Sequence, residues 1–202
     1  MPWILLAVFL WGLVHSLLAS DTAKGWAQRV FGPRAFRYYR LGYNAFAGIS
    51  FLSILVLLFL VPDRSLYLVP LPWSGLMMLG ELLAAAALVV GLRQTDPWEF
   101  IGLHVRDKTE KPPKLTTSGL YQYVRHPLYT AGMVFIWLLP LMTANILSVN
   151  IGLTVYVIIG AAFEERKLGR VFGKAYADYK MTTPMFIPFT IGNKSRHKSS
   201  GL

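Results

Sequence analysis

Residues 41–61 read LGYNAFAGISFLSILVLLFLV, with no charged side chain, and Pro62 and Asp63 close the stretch. About 20 apolar residues in an α-helix cross a hydrocarbon core of about 30 Å, so this stretch reads as a transmembrane helix. The chain offers four more such runs. Trp3–Ala19 comes first, interrupted only by Gly12, His15 and Ser16. No basic residue precedes it, so it reads as a retained helix rather than a cleaved leader. Ser74–Leu92 follows a short loop, Arg64–Trp73, that holds Pro70 and Pro72. The last two runs are Pro127 to Leu141 or Thr143, and Leu147–Phe163, with Asn145 at the turn between them. Two apolar runs joined so tightly predict an antiparallel hairpin. The composition agrees: 54% of residues are hydrophobic and 15% charged, against about 25% charged in soluble domains. The fold expected is all-α and integral to the membrane. It has about five transmembrane helices, the last two a tight hairpin, and a cytoplasmic C-terminal amphipathic helix.

Charge gives the orientation. The net charge is +10, which on a soluble protein suggests nucleic acid. Here the basic residues flank apolar runs, so anionic membrane lipid is the expected partner and nucleic acid is not. Of twenty Lys and Arg, five lie in Lys24–Arg40, six in Arg93–Arg125 and eight after Phe163. Arg64 alone falls on the other side. By the positive-inside rule the N-terminus is outside and the tail is cytoplasmic. There is no cysteine, which excludes disulfides, thiolate-held zinc and a cysteine nucleophile. No metal site is expected. Residues 1–114 form an N-terminal membrane region and 115–190 a second region that carries the chemistry. Residues 191–202, polar and small, are expected to be a disordered tail, with a linker-like end.

Two stretches carry chemical groups. In the first, Gly119, Tyr121, Arg125, His126, Pro127, Tyr129 and Gly132 lead into the fourth run. Pro127 suits a first helical turn and pushes His126 out of helical geometry. This presents Arg125 and His126 at the membrane surface, beside a helix N-terminus that favours anions. Tyr129 and Gly132 share the next turn of that helix, and Gly132 leaves room for a flat or bulky group. The second stretch opens the tail with Glu164, Glu165 and Arg166. Glu165, Leu168, Phe172, Tyr176 and Tyr179 repeat at 3-and-4 spacing, one face of an amphipathic helix. The segment Thr183–Pro188, with Pro184 and Pro188, ends the pattern. Plainer readings exist: Arg125 as an interfacial anchor, the glutamates as partners of Arg166, Lys167 and Arg170. Within the spans, His15 and Glu81 are ionisable at membrane depth and are functional candidates for that reason, or else bond to neighbouring helices.

Taken together, Arg-His-Pro-x-Tyr-x-x-Gly at 125–132, Glu-Glu-x-x-Leu at 164–168, Phe-Gly-x-x-Tyr-x-x-Tyr at 172–179 and Pro-x-x-x-Pro at 184–188 resemble the isoprenylcysteine carboxyl methyltransferase and phospholipid methyltransferase superfamily. The front half carries Val14-His15-Ser16, Tyr39-Arg40-Leu41 and the stretch from Asp96 to Leu103. It resembles the bacterial methanethiol S-methyltransferase branch and its nitrogen-oxide-associated membrane relatives. The resemblance implies a methyltransferase that uses S-adenosyl-L-methionine and takes a small-molecule or lipophilic acceptor. It implies His126, Glu165 and Arg166 as catalytic residues. It implies a cofactor site of Gly119, Tyr121, Arg125, His126, Tyr129, Gly132, Glu164, Glu165, Tyr176, Tyr179 and Pro184, with Phe186 beside the purine. Arg125 and His126 would meet the carboxylate end, and Glu164 or Glu165 the ribose or amino group. A small thiol, a prenylcysteine carboxylate and a phospholipid amine all remain open as acceptors. Rival readings are a non-catalytic cofactor- or lipid-binding relative, a small transporter and a structural subunit. The absence of an internal repeat argues against the transporter.

Overall fold

A computed structural model of the protein describes residues 2–36, 38–95, 98 and 114–188. Most of the Asp96–Leu103 stretch and the tail expected at 191–202 lie outside the described residues. In chain order the elements are α1 (Pro2–Ala19), α2 (Asp21–Phe36), α3 (Tyr39–Leu60), β1 (Ser65–Leu68), α4 (Trp73–Gln94), a 3₁₀ turn (Gly119–Gln122), α5 (Pro127–Trp137), β2 (Leu141–Thr143), α6 (Ala144–Phe172) and α7 (Lys174–Thr182). Among the described residues, α1, α3, α4 and α6 are long and apolar enough to cross a membrane. Phe9, Phe59, Leu82 and Ile159 stand exposed on them, as side chains that face lipid should.

The fourth apolar run departs from the expected five full crossings. Its helix α5 has 11 residues, about 16 Å at 1.5 Å per residue. Residues 138–143 then leave the helix and end in β2, which pairs antiparallel with β1: Ser65 opposite Thr143, Tyr67 opposite Met142, Leu68 opposite Leu141. Asn145, expected at a turn, lies in the first turn of α6 instead. The Asp63 carboxylate accepts the N–H groups of Arg64 (2.8 Å) and Asn145 (3.0 Å), and the Asn145 amide donates to the Val61 carbonyl (3.2 Å). Partial burial would raise the Asp63 carboxyl, but hydrogen bonds from Thr143, Asn145 and Arg64 outweigh it and hold it below its ordinary range.

The last helix also differs from its sequence pattern. The fifth apolar run continues unbroken to Phe172 as one helix of 29 residues. Gly173 then takes a left-handed backbone, φ 52°, where a residue without Cβ is favoured. The expected amphipathic face is therefore divided. Glu165, Leu168 and Phe172 belong to α6, Tyr176 and Tyr179 to α7.

The chain divides into two compact units. The first takes the described residues up to Gly75 and Leu139–Tyr156. Its core is Ile4, Val8, Ile54 and Val149. Small residues let its helices approach: a Cβ at Gly152 would lie 2.7 Å from Val8, and one at Gly12 would lie 2.8 Å from the Tyr156 ring. The second unit takes Leu76–Thr95, the described residues up to Leu138, and those from Val157 on. In it α5 runs antiparallel to α4, since Leu128 covers Gly91 and Leu138 covers Gly80.

Candidate active site

All of the expected catalytic and cofactor-site residues fall in the second unit. Gly119 sits at φ +65°, and a Cβ there would lie 2.2 Å from the Gln94 side chain. Gln94 can therefore reach past it and accept the Leu120 N–H at 3.0 Å. This fixes the 3₁₀ turn from which the chain enters α5. Pro127 opens α5, as its fixed φ favours, and His126 is non-helical (φ −123°, ψ 65°). The closing segment 183–188 lies along this entrance as a strap. Pro184 and Met185 carbonyls accept the N–H groups of Arg125 (2.8 Å) and His126 (3.2 Å), and the Phe186 carbonyl accepts the Thr130 hydroxyl (2.9 Å). Backbone donors ahead of a helix need partners, and the strap supplies them.

The strap and α6 are joined through the Arg125 side chain. Arg125 Nε and Nη2 each lie 2.6 Å from Glu165 Oε1. Arg125 Nη1 donates to the Thr183 carbonyl and, at 3.4 Å, to that of Lys180. Lys180 Nζ reaches Glu165 Oε2 at 2.9 Å. The Arg125 and Glu165 side chains are 8% and 9% exposed, and buried charges persist only when paired in this way. Tyr176 is buried beside the pair, and its hydroxyl lacks a hydrogen bond of adequate geometry among the described residues. Burial first, and then the Glu165 charge, push that hydroxyl up to about 12. The Tyr179 hydroxyl donates to the Tyr121 carbonyl; burial, followed by the neighbouring Tyr176, raises it further. Both tyrosines are neutral donors at pH 7.

His126 stands between the two glutamates. Its Nδ1 is 3.7 Å from Glu164 Oε2, and its Nε2 is 3.4 Å from Glu165 Oε1 without the alignment of a hydrogen bond. Its ring stacks on Tyr129 (5.4 Å, 9°) and leans on Phe186 (5.8 Å, 42°). Burial lowers its pKa, and the charges of Glu164 and Glu165 oppose this without reversing it. The imidazole is therefore uncharged at pH 7. Tyr129 donates to Glu164 at 2.9 Å, and Glu164 keeps 44% of its side chain exposed. Among the described residues, a Cβ at Gly132 would meet nothing within 4 Å, so α5 has room at this position. Arrangements of this kind bind and orient: a fixed anion, a neutral imidazole and two neutral phenols beside the room at Gly132.

The phospholipid methyltransferase family model matches residues 76–175. Methanethiol S-methyltransferase 1 of Bradyrhizobium diazoefficiens is 32% identical over 200 residues, 92% of this chain and 66% of that protein. Methanethiol S-methyltransferase 2 of the same organism is 31% identical over 202 residues, 91% of this chain and 71% of that protein. The chain belongs to the phospholipid methyltransferase family. Protein-S-isoprenylcysteine O-methyltransferase B of Arabidopsis thaliana is a more distant relative, 28% identical over 117 residues, 56% of each chain. The chain spans 66% and 71% of the length of the two bacterial relatives, so about a third of each lies outside the match. No solved structure matches it.

As a member of this family of methyltransferases, the chain brings most of the expected residues into one cluster. Arg125, His126, Tyr129, Glu164, Glu165, Tyr179 and Pro184 are linked by the contacts above, and Tyr176 is buried beside the Arg125–Glu165 pair. Tyr121 joins through its carbonyl, and Gly119 and Gly132 shape the backbone and leave room on α5. Arg166 stands apart: it is exposed, and its guanidinium lies over the Phe163 ring at 5.6 Å. Lys180 and Thr183 were not among the expected site residues. Lys180 lies fifteen positions from Glu165, beyond the helix break at Gly173, so no periodicity connects the two. Its position one turn after Tyr176 on α7 was the only signal available.

Proposed function

We propose that this chain transfers a methyl group from S-adenosyl-L-methionine to a small thiol or another lipophilic acceptor at the cytoplasmic membrane face. The observation that carries this reading is the buried Glu165 carboxylate. It is fixed by Arg125 and Lys180 and flanked by His126 Nε2 and the Tyr176 hydroxyl, two buried polar atoms without hydrogen bonds among the described residues. Unsatisfied buried groups in a native structure need a reason, and a catalytic role is one. The donor's chemistry fits the residues present. Its ammonium or ribose hydroxyls suit Glu164, whose side chain is part-exposed. Its flat purine suits the room at Gly132 and the Tyr129 ring. Bound there, it supplies a methyl group already attached to a good leaving group.

The chain's own work is then to position and to exclude water. Arg125 gives its donors to Glu165 and to strap carbonyls, so it acts as a positioning residue that locks α6 to the strap. Lys180 holds the other carboxylate oxygen. His126, whose pKa burial lowers, is the base we assign to take the proton of a thiol. The relatives named for methanethiol favour a thiol, and the apolar faces of the spans favour an acceptor that enters from lipid. The basic residues gathered on one side support an outside N-terminus and a cytoplasmic site. The test is Glu165→Gln in the purified protein, with folding followed by thermal melting. Methyl transfer is expected to be abolished while the protein stays folded; wild-type turnover would remove Glu165 from the site.

A further inference from the structure

The two nitrogens of His126 have different surroundings, and the difference decides which of them can act. A neutral imidazole carries one N–H and one lone pair, and the partner of one nitrogen sets the state of the other. Nε2 is buried and faces Glu165 Oε1 at 3.4 Å. That oxygen already gathers donors, with Arg125 Nε and Nη2 each at 2.6 Å. An imidazole lone pair aimed at it would meet the lone pairs of an anion. An N–H in the same place is attracted to the carboxylate, even without full hydrogen-bond alignment. The proton therefore belongs on Nε2, and the lone pair falls to Nδ1.

Nδ1 looks the other way. It lies 3.7 Å from Glu164 Oε2, too far for a hydrogen bond, so its lone pair is uncommitted among the described residues. The same Glu164 oxygen accepts the Tyr129 hydroxyl at 2.9 Å, and the Glu164 side chain is 44% exposed. Oε1 of Glu164 stays available to the donor. The Tyr129 and Phe186 rings hold the imidazole in place, and the His126 N–H is tied to the Met185 carbonyl. A buried carboxylate behind one nitrogen and a free lone pair on the other make a general base with an orienting anion.

We infer that Glu165 is a positioning residue that holds His126 as the Nε2–H tautomer, and that Nδ1, on the Glu164 side, takes the proton of the methyl acceptor. The inference rests on the methyl-transfer reading above and narrows the acceptor. As the acceptor's sulfur or nitrogen bonds to the methyl carbon, its proton passes to Nδ1. The electron pair of the broken carbon–sulfur bond stays with the donor's sulfur. The imidazolium so formed stands between two carboxylates, Glu165 at Nε2 and Glu164 at Nδ1, and gives its proton to water past the exposed Glu164 side chain. A carboxylate acceptor has no proton to give at pH 7. This base therefore serves an acceptor that sheds a proton, a thiol or an amine.

The first test is NMR on the unliganded full chain in lipid nanodiscs at pH 8, with isotope-labelled histidine. The chain has four histidines, and the signal that His126→Gln removes is that of His126. The wild type should carry its proton on Nε2. Glu165→Gln, which removes the anion, should shift His126 to a mixture of the two tautomers. A wild-type proton on Nδ1 overturns the inference, and so does a tautomer that Glu165→Gln leaves unmoved. The second test offers two thiols, ethanethiol and thiophenol, the latter mostly ionised at pH 8 and so in no need of a base. His126→Gln should cut transfer to ethanethiol about a hundredfold or more, and transfer to thiophenol less than about tenfold. Equal losses with both thiols overturn the assignment of the base. A wild type that methylates neither thiol overturns the thiol reading of the proposed function, while the tautomer result stands by itself; turnover with the proton on Nδ1 overturns this inference alone.

Discussion

The Glu165 carboxylate joins three stretches of chain that are far apart in sequence: the entrance to α5, the end of α6, and α7 with its strap. Removing Arg125 leaves a buried carboxylate with one cation. Arg125→Ala should cost about 3–5 kcal/mol of stability, as breaking a buried pair from one side does. Lys180 keeps 46% of its side chain exposed, so Lys180→Ala should cost under about 1 kcal/mol. Denaturant unfolding of both variants in one detergent checks the order; equal losses would show that the pair is not buried in solution. His126 gives a pH signature. Burial holds its pKa in the folded protein below the ordinary 6.5, so the unfolded chain takes up this proton first as pH falls. The stability contributed is fully present above about pH 6.5 and is lost as pH falls through the lower folded value. Melting between pH 8 and 5 should therefore fall more steeply for the wild type than for His126→Gln. Parallel curves would mean that the imidazole is not desolvated.

At the scale of elements, three glycines make separable predictions. Gly173→Ala forces a Cβ into φ 52° and should cost about 1 kcal/mol or more. Gly119→Ala is strained in φ and also collides with Gln94, so it should cost more than Gly173→Ala. Gly132 has open space where a Cβ would go. Gly132→Leu should keep or raise stability through better helix propensity, yet weaken S-adenosyl-L-methionine binding at least tenfold. Calorimetric titration beside a melting curve separates these outcomes; unchanged affinity would move the cofactor away from α5. The sequence made some of these elements readable and hid others for physical reasons. Length and hydropathy exposed α1, α3, α4 and the apolar part of α6, because a span is a local property of about 20 residues. The shortness of α5 was marked only by Pro140, which ends or kinks a helix, while hydropathy ran through it into a segment that pairs with β1. The break at Gly173 was visible only as a glycine, because the 3-and-4 spacing runs straight through it. Pro127 did mark the start of α5 and the non-helical His126 before it. The saturation of Arg125 by strap carbonyls, and the arrival of Lys180, depend on tertiary contacts that no local pattern encodes.

For the whole molecule, orientation and activity are the matters to measure. The chain has no cysteine, so single introduced cysteines report sidedness without background. Ser65→Cys, on β1, should react with a membrane-impermeant maleimide in intact cells. Ser118→Cys, before the 3₁₀ turn, should react only after permeabilisation; the reverse pattern would invert the orientation and place the site outside. The central claim is methyl transfer from the cluster around Glu165, and its most direct test is a labelled donor. Purified protein would receive S-adenosyl-L-methionine with a labelled methyl group, and ethanethiol, a prenylcysteine analogue and a phosphatidylethanolamine bilayer would be offered in parallel. Label should appear on the thiol with the wild type and not with Glu165→Gln; a wild-type protein that neither binds the donor nor labels any of the three would rule out methyl transfer at this cluster.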